Sequence, residues 1–290
     1  SATTRPRSNQ LSYVRHFIDK FKVLLIKIIG YTKFMKVSKK IINLETESAF
    51  AILAKATELE SEGKDIINLG IGQPDFPTPK NIQEAAIKAI KDGHHGYTPS
   101  NGILPLREAV TEQIYNDYNV NINSDQILIT PGGKPTIFYS SLILGGEDNE
   151  IIYPDPGFPI YRSMINFTGA KGIPLELSEE DNFEININKL EKLITKKTSL
   201  IIINNPNNPT GSFMNKKKID GIIKMLEKYP DVFIMSDEIY SKIIFNDQEM
   251  PSFINYESIR DRLIILEGWS KTFCMTGWRL GWSMWPKKLY

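Results

Sequence analysis

The sequence predicts an α/β domain in which a mainly parallel sheet is sandwiched between helices. Short apolar runs rich in Ile, Leu and Val have the length of buried strands, and segments with helical spacing of apolar residues separate them. This alternation of strand and helix is typical of parallel strands joined by helical crossovers. A chain of 290 residues, 41% of them hydrophobic, is also long enough for one large or two modest domains with a substantial core.

Six strands are predicted, each from a run of branched apolar residues that is too short for a helix. They cover 66–69, 126–130, 151–153, 200–204, 232–235 and 263–266. Helices are predicted where apolar residues recur every three or four positions. They cover 82–91, 104–118, 134–144, 160–166 and 216–228. Ligands of such sheets bind outside the carboxyl ends of the strands, so the residues that follow each strand are the candidates for a binding site.

The charge balance indicates a small-molecule partner. With 35 Lys and Arg against 34 Asp and Glu, the formal net charge is +1, which provides no field for nucleic acid or an anionic membrane. Neither nucleic acid nor membrane is expected as a partner. The single cysteine, Cys274, has no Cys or His company for a metal site and no partner for an intrachain disulfide. We therefore predict no metal and a reducing, cytoplasmic location.

The N-terminal segment differs from the rest of the chain. Residues 1–40 contain ten Lys and Arg against one acid, Asp19, and their apolar residues recur at helical spacing. Three interpretations of segment 1–34 stay open: a mitochondrial-type presequence, a membrane-surface or partner helix, or an upstream extension without function. Met35 opens a stretch typical of a natural protein start, so segment 1–34 is not expected to belong to the fold.

Loops that could contact a ligand follow two of the strands: one could bind an anion, and the other carries a side-chain amide that could hydrogen-bond a ligand. Gly132 and Gly133 follow strand 126–130 and open a helix, where backbone N–H groups and the helix dipole favour a phosphate. A simple tight turn is the alternative. Asn208 follows strand 200–204 between two prolines, so its amide could point at a ligand, although the prolines also suit an ordinary turn.

The other two strand ends carry charged side chains. Asp237 follows strand 232–235, and burial there would require a cationic partner; a structural N-cap is the alternative. Lys271 follows strand 263–266 in an apolar and aromatic setting, where desolvation favours the neutral, nucleophilic amine. Arg279, eight positions later, offers a planar fork suited to a phosphate.

Together these segments resemble the fold-type I pyridoxal-phosphate enzymes, and among them the class I aminotransferases related to aspartate aminotransferase. The resemblance covers about residues 35–285 and implies a seven-stranded-type sheet with pyridoxal 5′-phosphate as cofactor. Further motifs that match lie at 71–76 (Ile-Gly-Gln-Pro-Asp-Phe), 97–102 (Tyr-Thr-Pro-Ser-Asn-Gly) and 106–108 (Leu-Arg-Glu).

The resemblance also implies residue roles around the cofactor ring. Lys271 forms the Schiff base and afterwards moves the substrate α-proton, while Asp237 keeps the pyridine nitrogen protonated. Tyr240 and Asn208 hydrogen-bond the 3′-oxygen. Phe158 stacks on the ring, where many relatives carry Trp or Tyr.

For the phosphate, the resemblance implies backbone N–H groups of Gly133 and Lys134, the Ser270 hydroxyl and a bidentate contact from Arg279. Many relatives carry a second phosphate serine where this chain has Gly268.

Substrate and partner contacts follow from the same resemblance. The substrate is expected against Gly72, Asn208 and Phe158, and the Lys134 side chain is a candidate for a distal carboxylate. Tyr97 matches a tyrosine that reaches the phosphate of a neighbouring subunit, which implies a homodimer with shared sites.

The expected organisation is a basic extension at 1–34, an arm and part of a small domain at 35–78, and a large cofactor domain at 79–290. The family continues past this point into a small domain that supplies an arginine for the substrate α-carboxylate. We expect that domain to be absent from the 290 residues, and this fragment to be poorly active or inactive.

The predicted function is a ping-pong transaminase that exchanges an L-amino acid and a 2-oxo acid in amino acid metabolism. Two alternatives stay open, namely a C–S or β-elimination lyase that uses the same cofactor and a non-catalytic ligand-sensing domain.

Overall fold

The computed structural model describes residues 38–42, 44, 48–245 and 249–289. The chain divides into two compact units, Ser1–Ile42 and Asn43–Tyr290. The described part of the first unit contains one short helix, α1 (Lys39–Ile42). Segment 1–34 lies outside the described residues, so its three interpretations and the expected boundaries at 34 and 78 stay predictions.

The second unit is built on a seven-stranded sheet with the strand order β1-β7-β6-β5-β4-β2-β3. Strand β7 runs antiparallel to both of its neighbours, and the other neighbouring strands are parallel. The predicted α/β class with a mainly parallel sheet is therefore confirmed. The strands are β1 (Ile127–Thr130), β2 (Glu150–Asp155), β3 (Lys171–Glu176), β4 (Thr198–Asn204), β5 (Phe233–Asp237), β6 (Leu263–Gly268) and β7 (Gly281–Met284).

Helices flank this sheet, and the five that were predicted begin and end within two residues of the expected positions. None of the helices in the described ranges is long and apolar enough to cross a bilayer. The helices of the second unit are α2 (Ser48–Ser61), α3 (Lys80–Lys91), α4 (Leu104–Tyr118), α5 (Lys134–Leu144), α6 (Ile160–Thr168), α7 (Ile187–Leu193), α8 (Lys216–Leu226) and α9 (Trp269–Thr272).

The two faces of the sheet have separate apolar cores. Along β4, Ile201 and Ile203 belong to one buried cluster, while Leu200 and Ile202 belong to the other. Neighbouring residues of a strand point to opposite faces, so a strand buried on both sides reads as a continuous apolar run. This arrangement explains why β4, β5 and β6 are recognisable in the sequence.

The prediction of a strand at 66–69 is wrong. These residues form no strand, and the Ile67 and Leu69 side chains are 86% and 89% exposed. The apolar pattern was sufficient for a strand, but the described chain pairs no strand with this segment, and an isolated strand cannot satisfy its backbone groups. Two real strands were not predicted: β3 lies at the sheet edge and contains Pro174, and β7 has only four residues and begins with Gly281.

Gly281 lets the Gly132 turn and the end of β6 approach the backbone of β7 closely. A β-carbon at this position would lie 2.7 Å from the backbone carbon of Gly132, and one at Gly268 would lie 2.8 Å from the Gly281 Cα. Real side chains essentially never approach so closely. A serine at position 268 would therefore have no room without a backbone shift.

We expect Gly281→Ala to lower the free energy of unfolding by about 1–3 kcal/mol, because the new methyl group forces the Gly132 turn away from β7. Urea unfolding followed by circular dichroism measures the change. Gly277→Ala is the matched control, since nothing lies within 4 Å of its added β-carbon. Equal stability of the two variants would contradict this packing.

Candidate active site

Parallel strands bring the predicted site residues to one edge of the sheet. Asn204, the last residue of β4, lies opposite Asp237, the last residue of β5, and Asp237 lies opposite Leu266 of β6. Gly268, the last residue of β6, leads directly into the short helix α9, which carries Ser270 and Lys271. Residues far apart in the chain thus converge where ligands of α/β sheets bind.

Asp237 is buried and has neutral donors around it. Its Oδ2 accepts a hydrogen bond from the Tyr161 hydroxyl at 2.6 Å, and its Oδ1 accepts one from the Ile239 backbone N–H at 3.2 Å. Burial raises the pKa of Asp237 to about 6, while the bond from Tyr161 opposes this rise. The expected cationic partner is not supplied by the described chain, so a cationic ligand group would find an acceptor here.

Asn208 and Tyr240 contact each other. The Asn208 side-chain amide donates to the Tyr240 hydroxyl at 3.2 Å, and the Asn208 backbone N–H donates to the Asn204 side chain at 2.7 Å. Burial raises the pKa of Tyr240, and the negative charge of Asp237 adds to the rise. The structure thus brings together the two residues that are expected on the cofactor's 3′-oxygen.

Lys271 is half-buried, and its Nζ donates to the Gly72 carbonyl at 2.5 Å. Burial lowers the pKa of the Lys271 ammonium below its usual value, as expected for an amine in an apolar setting. Thr78 links the segment that carries Gly72 to the segment that follows Lys271. Its hydroxyl donates to the Cys274 carbonyl at 2.8 Å and accepts from the Trp278 indole at 3.1 Å. The structure thus brings Gly72 to Lys271.

Arg279 lies against the glycine turn that follows β1. A β-carbon on Gly132 would lie 2.3 Å from an Arg279 guanidinium nitrogen, and the φ of Gly132 is +82°. Only glycine suits both the backbone conformation and the approach. Arg279 itself has a left-handed φ of 56°, and its guanidinium donates to the Thr276 carbonyl at 2.9 Å. Such a strained residue often marks a functional site.

The remaining predicted residues lie on several elements of the fold. Gly133 caps α5, Lys134 is the first residue of that helix, and Ser270 is buried. The Lys134 ammonium lies 5.9 Å from the centre of the Phe158 ring. Tyr97 is fully exposed. The individual roles of all these residues stay predictions.

Sequence reasoning missed two residues that contact the site, Tyr161 and Thr78. Tyr161 lies one helical turn after Phe158, and the two rings pack edge to face with centroids 5.8 Å apart. The spacing alone could have placed Tyr161 beneath Phe158, but only the fold reveals its hydrogen bond to Asp237.

It also missed two buried glutamates on the opposite face of the sheet. Glu267 accepts from the Ser241 hydroxyl at 2.9 Å, and Glu238 accepts from the Ser236 hydroxyl at 2.8 Å. Burial raises the pKa of Glu267 to about 8 and that of Glu238 to about 7, and each receives a further rise from a neighbouring carboxylate. Near neutral pH, Glu267 therefore favours its protonated form, and Glu238 is divided about equally between its two forms.

We expect Glu267→Gln to reduce the loss of stability that the protein suffers between about pH 5 and pH 8. The pKa of Glu267 is about 8 in the folded protein and 4.5 in the unfolded chain. Protonation of Glu267 therefore stabilises the folded state fully below pH 4.5, and this stabilisation is lost as the pH rises to about 8. From low to high pH, the free energy of unfolding of Glu267→Gln should rise relative to that of the wild type by on the order of 3–5 kcal/mol. Urea unfolding across this range measures it.

Glu257→Gln, at an exposed position, controls for the loss of one carboxylate. If the free energy of unfolding of the wild type and of Glu267→Gln changed with pH in the same way, Glu267 would not hold a proton in the folded protein.

The donor set at the sheet edge fits pyridoxal phosphate. Asp237 suits a protonated ring nitrogen, Lys271 suits an aldehyde, and Arg279 beside a helix start suits a phosphate. The Arg279 guanidinium occupies space that a β-carbon on Gly132 would fill, so the turn is shaped around a cation facing the helix start. The fold and the site together define an α/β protein of the pyridoxal-phosphate-dependent class.

Comparisons with known proteins agree with this class. The family model for aminotransferase class I and II matches residues 64–289, so the chain belongs to that family. A probable aspartate aminotransferase of Methanocaldococcus jannaschii is 42% identical over 217 residues, which are 75% of this chain and 56% of that protein. The aspartate aminotransferase of Bacillus subtilis is 34% identical over 250 residues, covering 86% of this chain and 63% of that protein.

Solved structures support the same conclusion. The aspartate aminotransferase from Thermus thermophilus with maleate superimposes with a TM-score of 0.81 at 29% identity, covering 88% of this chain and 66% of that one. The one from Thermotoga maritima has a TM-score of 0.81 at 32% identity, covering 87% and 67%. The chain spans 56% and 63% of the length of the two curated relatives named above.

Proposed function

We propose that the whole protein is a transaminase that moves an amino group between an L-amino acid and a 2-oxo acid by a ping-pong mechanism. The observation that carries this proposal is the convergence of Lys271, Asp237 and Arg279 at one sheet edge. Membership of the aminotransferase class I and II family supports it. The relatives named above are aminotransferases, so the comparisons favour this function over a lyase or a sensor.

Bound pyridoxal phosphate supplies a ring that accepts the electrons released at the substrate α-carbon. Lys271 would have two tasks: its neutral amine would hold the cofactor, and the same amine would move the substrate α-proton as a general base. The lowered pKa of Lys271 supports both, because an amine that stays protonated can do neither. The contact with the Gly72 carbonyl brings Gly72 to the amine, which supports a substrate position beside these two residues.

The other residues bind and orient. Asp237 would hold the ring nitrogen by its negative charge, and Tyr240 and Asn208, which contact each other, would offer two donors to the ring oxygen. Arg279, the backbone N–H groups of Gly133 and Lys134, and Ser270 hold the phosphate. Phe158 covers one face of the ring.

We also propose a homodimer with shared sites and a cytoplasmic location. The complete exposure of Tyr97 supports the dimer, since a side chain that reaches a neighbouring subunit must leave its own. The Lys134 ammonium, held near the Phe158 ring, supports a substrate with a second carboxylate. Relatives named as aspartate aminotransferases agree with an acidic amino donor.

Titration of the purified protein with pyridoxal phosphate tests the proposal. We expect a saturable absorbance band of the bound cofactor that aspartate abolishes and a 2-oxo acid restores. Absence of binding would refute the proposal. Release of pyruvate and ammonia without a 2-oxo acid acceptor would favour the lyase alternative instead.

A further inference from the structure

The Asp237 carboxyl is buried in contact with neutral hydrogen-bond donors. Its relative exposure is 4%, and it accepts hydrogen bonds from the Tyr161 hydroxyl and the Ile239 backbone N–H. Tyr161 is 0% exposed and belongs to the apolar cluster on the same face of the sheet. A hydroxyl buried this deeply has its direction determined by the surrounding packing.

A neutral donor has a different effect from a cation at this position. Lysine or arginine would stabilise the carboxylate but would also cancel its charge, leaving little attraction for a protonated ring nitrogen. A tyrosine hydroxyl stabilises the ionised form by a charge-assisted hydrogen bond and leaves the negative charge in place. A carboxylate has about four acceptor positions, so the two donors leave room for a third.

We infer that Tyr161 is a positioning residue that keeps Asp237 ionised and oriented for the cofactor ring nitrogen. The role toward the cofactor rests on the proposed function, whereas the Tyr161–Asp237 hydrogen bond at 2.6 Å is present in the chain without any cofactor. Phe158, which packs edge to face on Tyr161, is expected on the cofactor ring, so the same short segment covers the ring and tunes its acid partner.

Other titratable groups act on Asp237 more weakly. Tyr240 and Glu238 are coupled to it through their charges, and Lys271 at the same sheet edge donates to Gly72. Burial raises the pKa of Asp237, and within the described ranges the hydrogen bonds from Tyr161 and Ile239 oppose this rise. The Ile239 donor is backbone, which leaves Tyr161 as the side chain to test.

The test is the titration of the Asp237 carboxyl in the cofactor-free protein by carbon-13 NMR, with the signal assigned through Asp237→Asn. We expect Tyr161→Phe to move the midpoint upward by about one to two pH units, as expected for loss of a hydrogen bond to a charged group. Tyr118→Phe is the matched control, because Tyr118 packs on the cluster of the opposite face. An unchanged midpoint in Tyr161→Phe would overturn the inference.

A fluorotyrosine at position 161 guards against a folding defect, since it keeps the ring and makes the hydroxyl a stronger donor. It should move the midpoint downward, and an upward or absent shift would count against the inference. Pyridoxal phosphate affinity adds a second readout: from a starting pKa of about 6, Tyr161→Phe should weaken it about two- to tenfold near pH 7 and much less at pH 9. Equal weakening at every pH would indicate packing alone.

Failure of the wild type to bind the cofactor would refute the proposed function, whereas the carboxyl titration decides the role of Tyr161 without cofactor.

Discussion

Lys271→Ala should lower the transamination rate of the whole protein by about 10⁴-fold or more, because it removes both a nucleophile and a general base. The Lys271 side chain is half-buried, and desolvation lowers the pKa of its ammonium below the usual value, which favours the neutral amine. Its contact with the Gly72 carbonyl is a single hydrogen bond at a partly exposed site. The free energy of unfolding should therefore change by no more than about 1 kcal/mol.

Lys271→Arg separates charge from proton transfer. Arginine keeps the positive charge but does not give up its proton near neutral pH, so this variant should be as inactive as the alanine variant. Lys216→Ala is the control, since Lys216 forms a surface pair with Asp220. Steady-state rates with an amino acid and a 2-oxo acid measure the effect. Near-normal activity of Lys271→Arg would show that Lys271 serves only as a cation.

Asp237→Asn should change activity and stability in opposite directions. Loss of the negative charge opposite the ring nitrogen should lower kcat/KM by about 10²–10³-fold, in the range for removal of one preorganised electrostatic contact. The same change should stabilise the cofactor-free protein above pH 6 by on the order of 2–3 kcal/mol. The pKa of Asp237 is raised by burial from 3.8 to about 6, so the folded state is favoured below pH 3.8 and this advantage is lost as the pH rises through 6.

Urea unfolding at pH 8 and kinetics on the same preparations measure both effects. Asp181→Asn is the control, because the pKa of Asp181 is shifted in the opposite direction to that of Asp237. The hydrogen bond from Lys189, followed by other hydrogen bonds, lowers the pKa of Asp181 to about 2. Its replacement should not stabilise the protein at any pH above 4. A stability loss in Asp237→Asn would indicate that the described chain already compensates the Asp237 charge.

Much of the fold could be predicted because burial on two sides leaves a simple trace in the sequence. Strands β4, β5 and β6 are central and read as unbroken apolar runs, whereas the edge strand β3 and the short strand β7 do not. Segment 66–69 has the same apolar trace but no strand. Pairing depends on which segments lie side by side, and local composition does not contain that information.

Sequence alone determined the residue types at the strand ends, and with them the class of ligand. Glycines before a helix, a lysine in an apolar setting and an arginine with a planar fork have chemical preferences that do not depend on the fold. Only the tertiary structure decided their partners: Tyr161 for Asp237, Gly72 for Lys271, and the Gly132 turn for Arg279. The physical reason is that contacts between residues more than seventy positions apart depend on strand order and face, which arise only when the sheet is assembled.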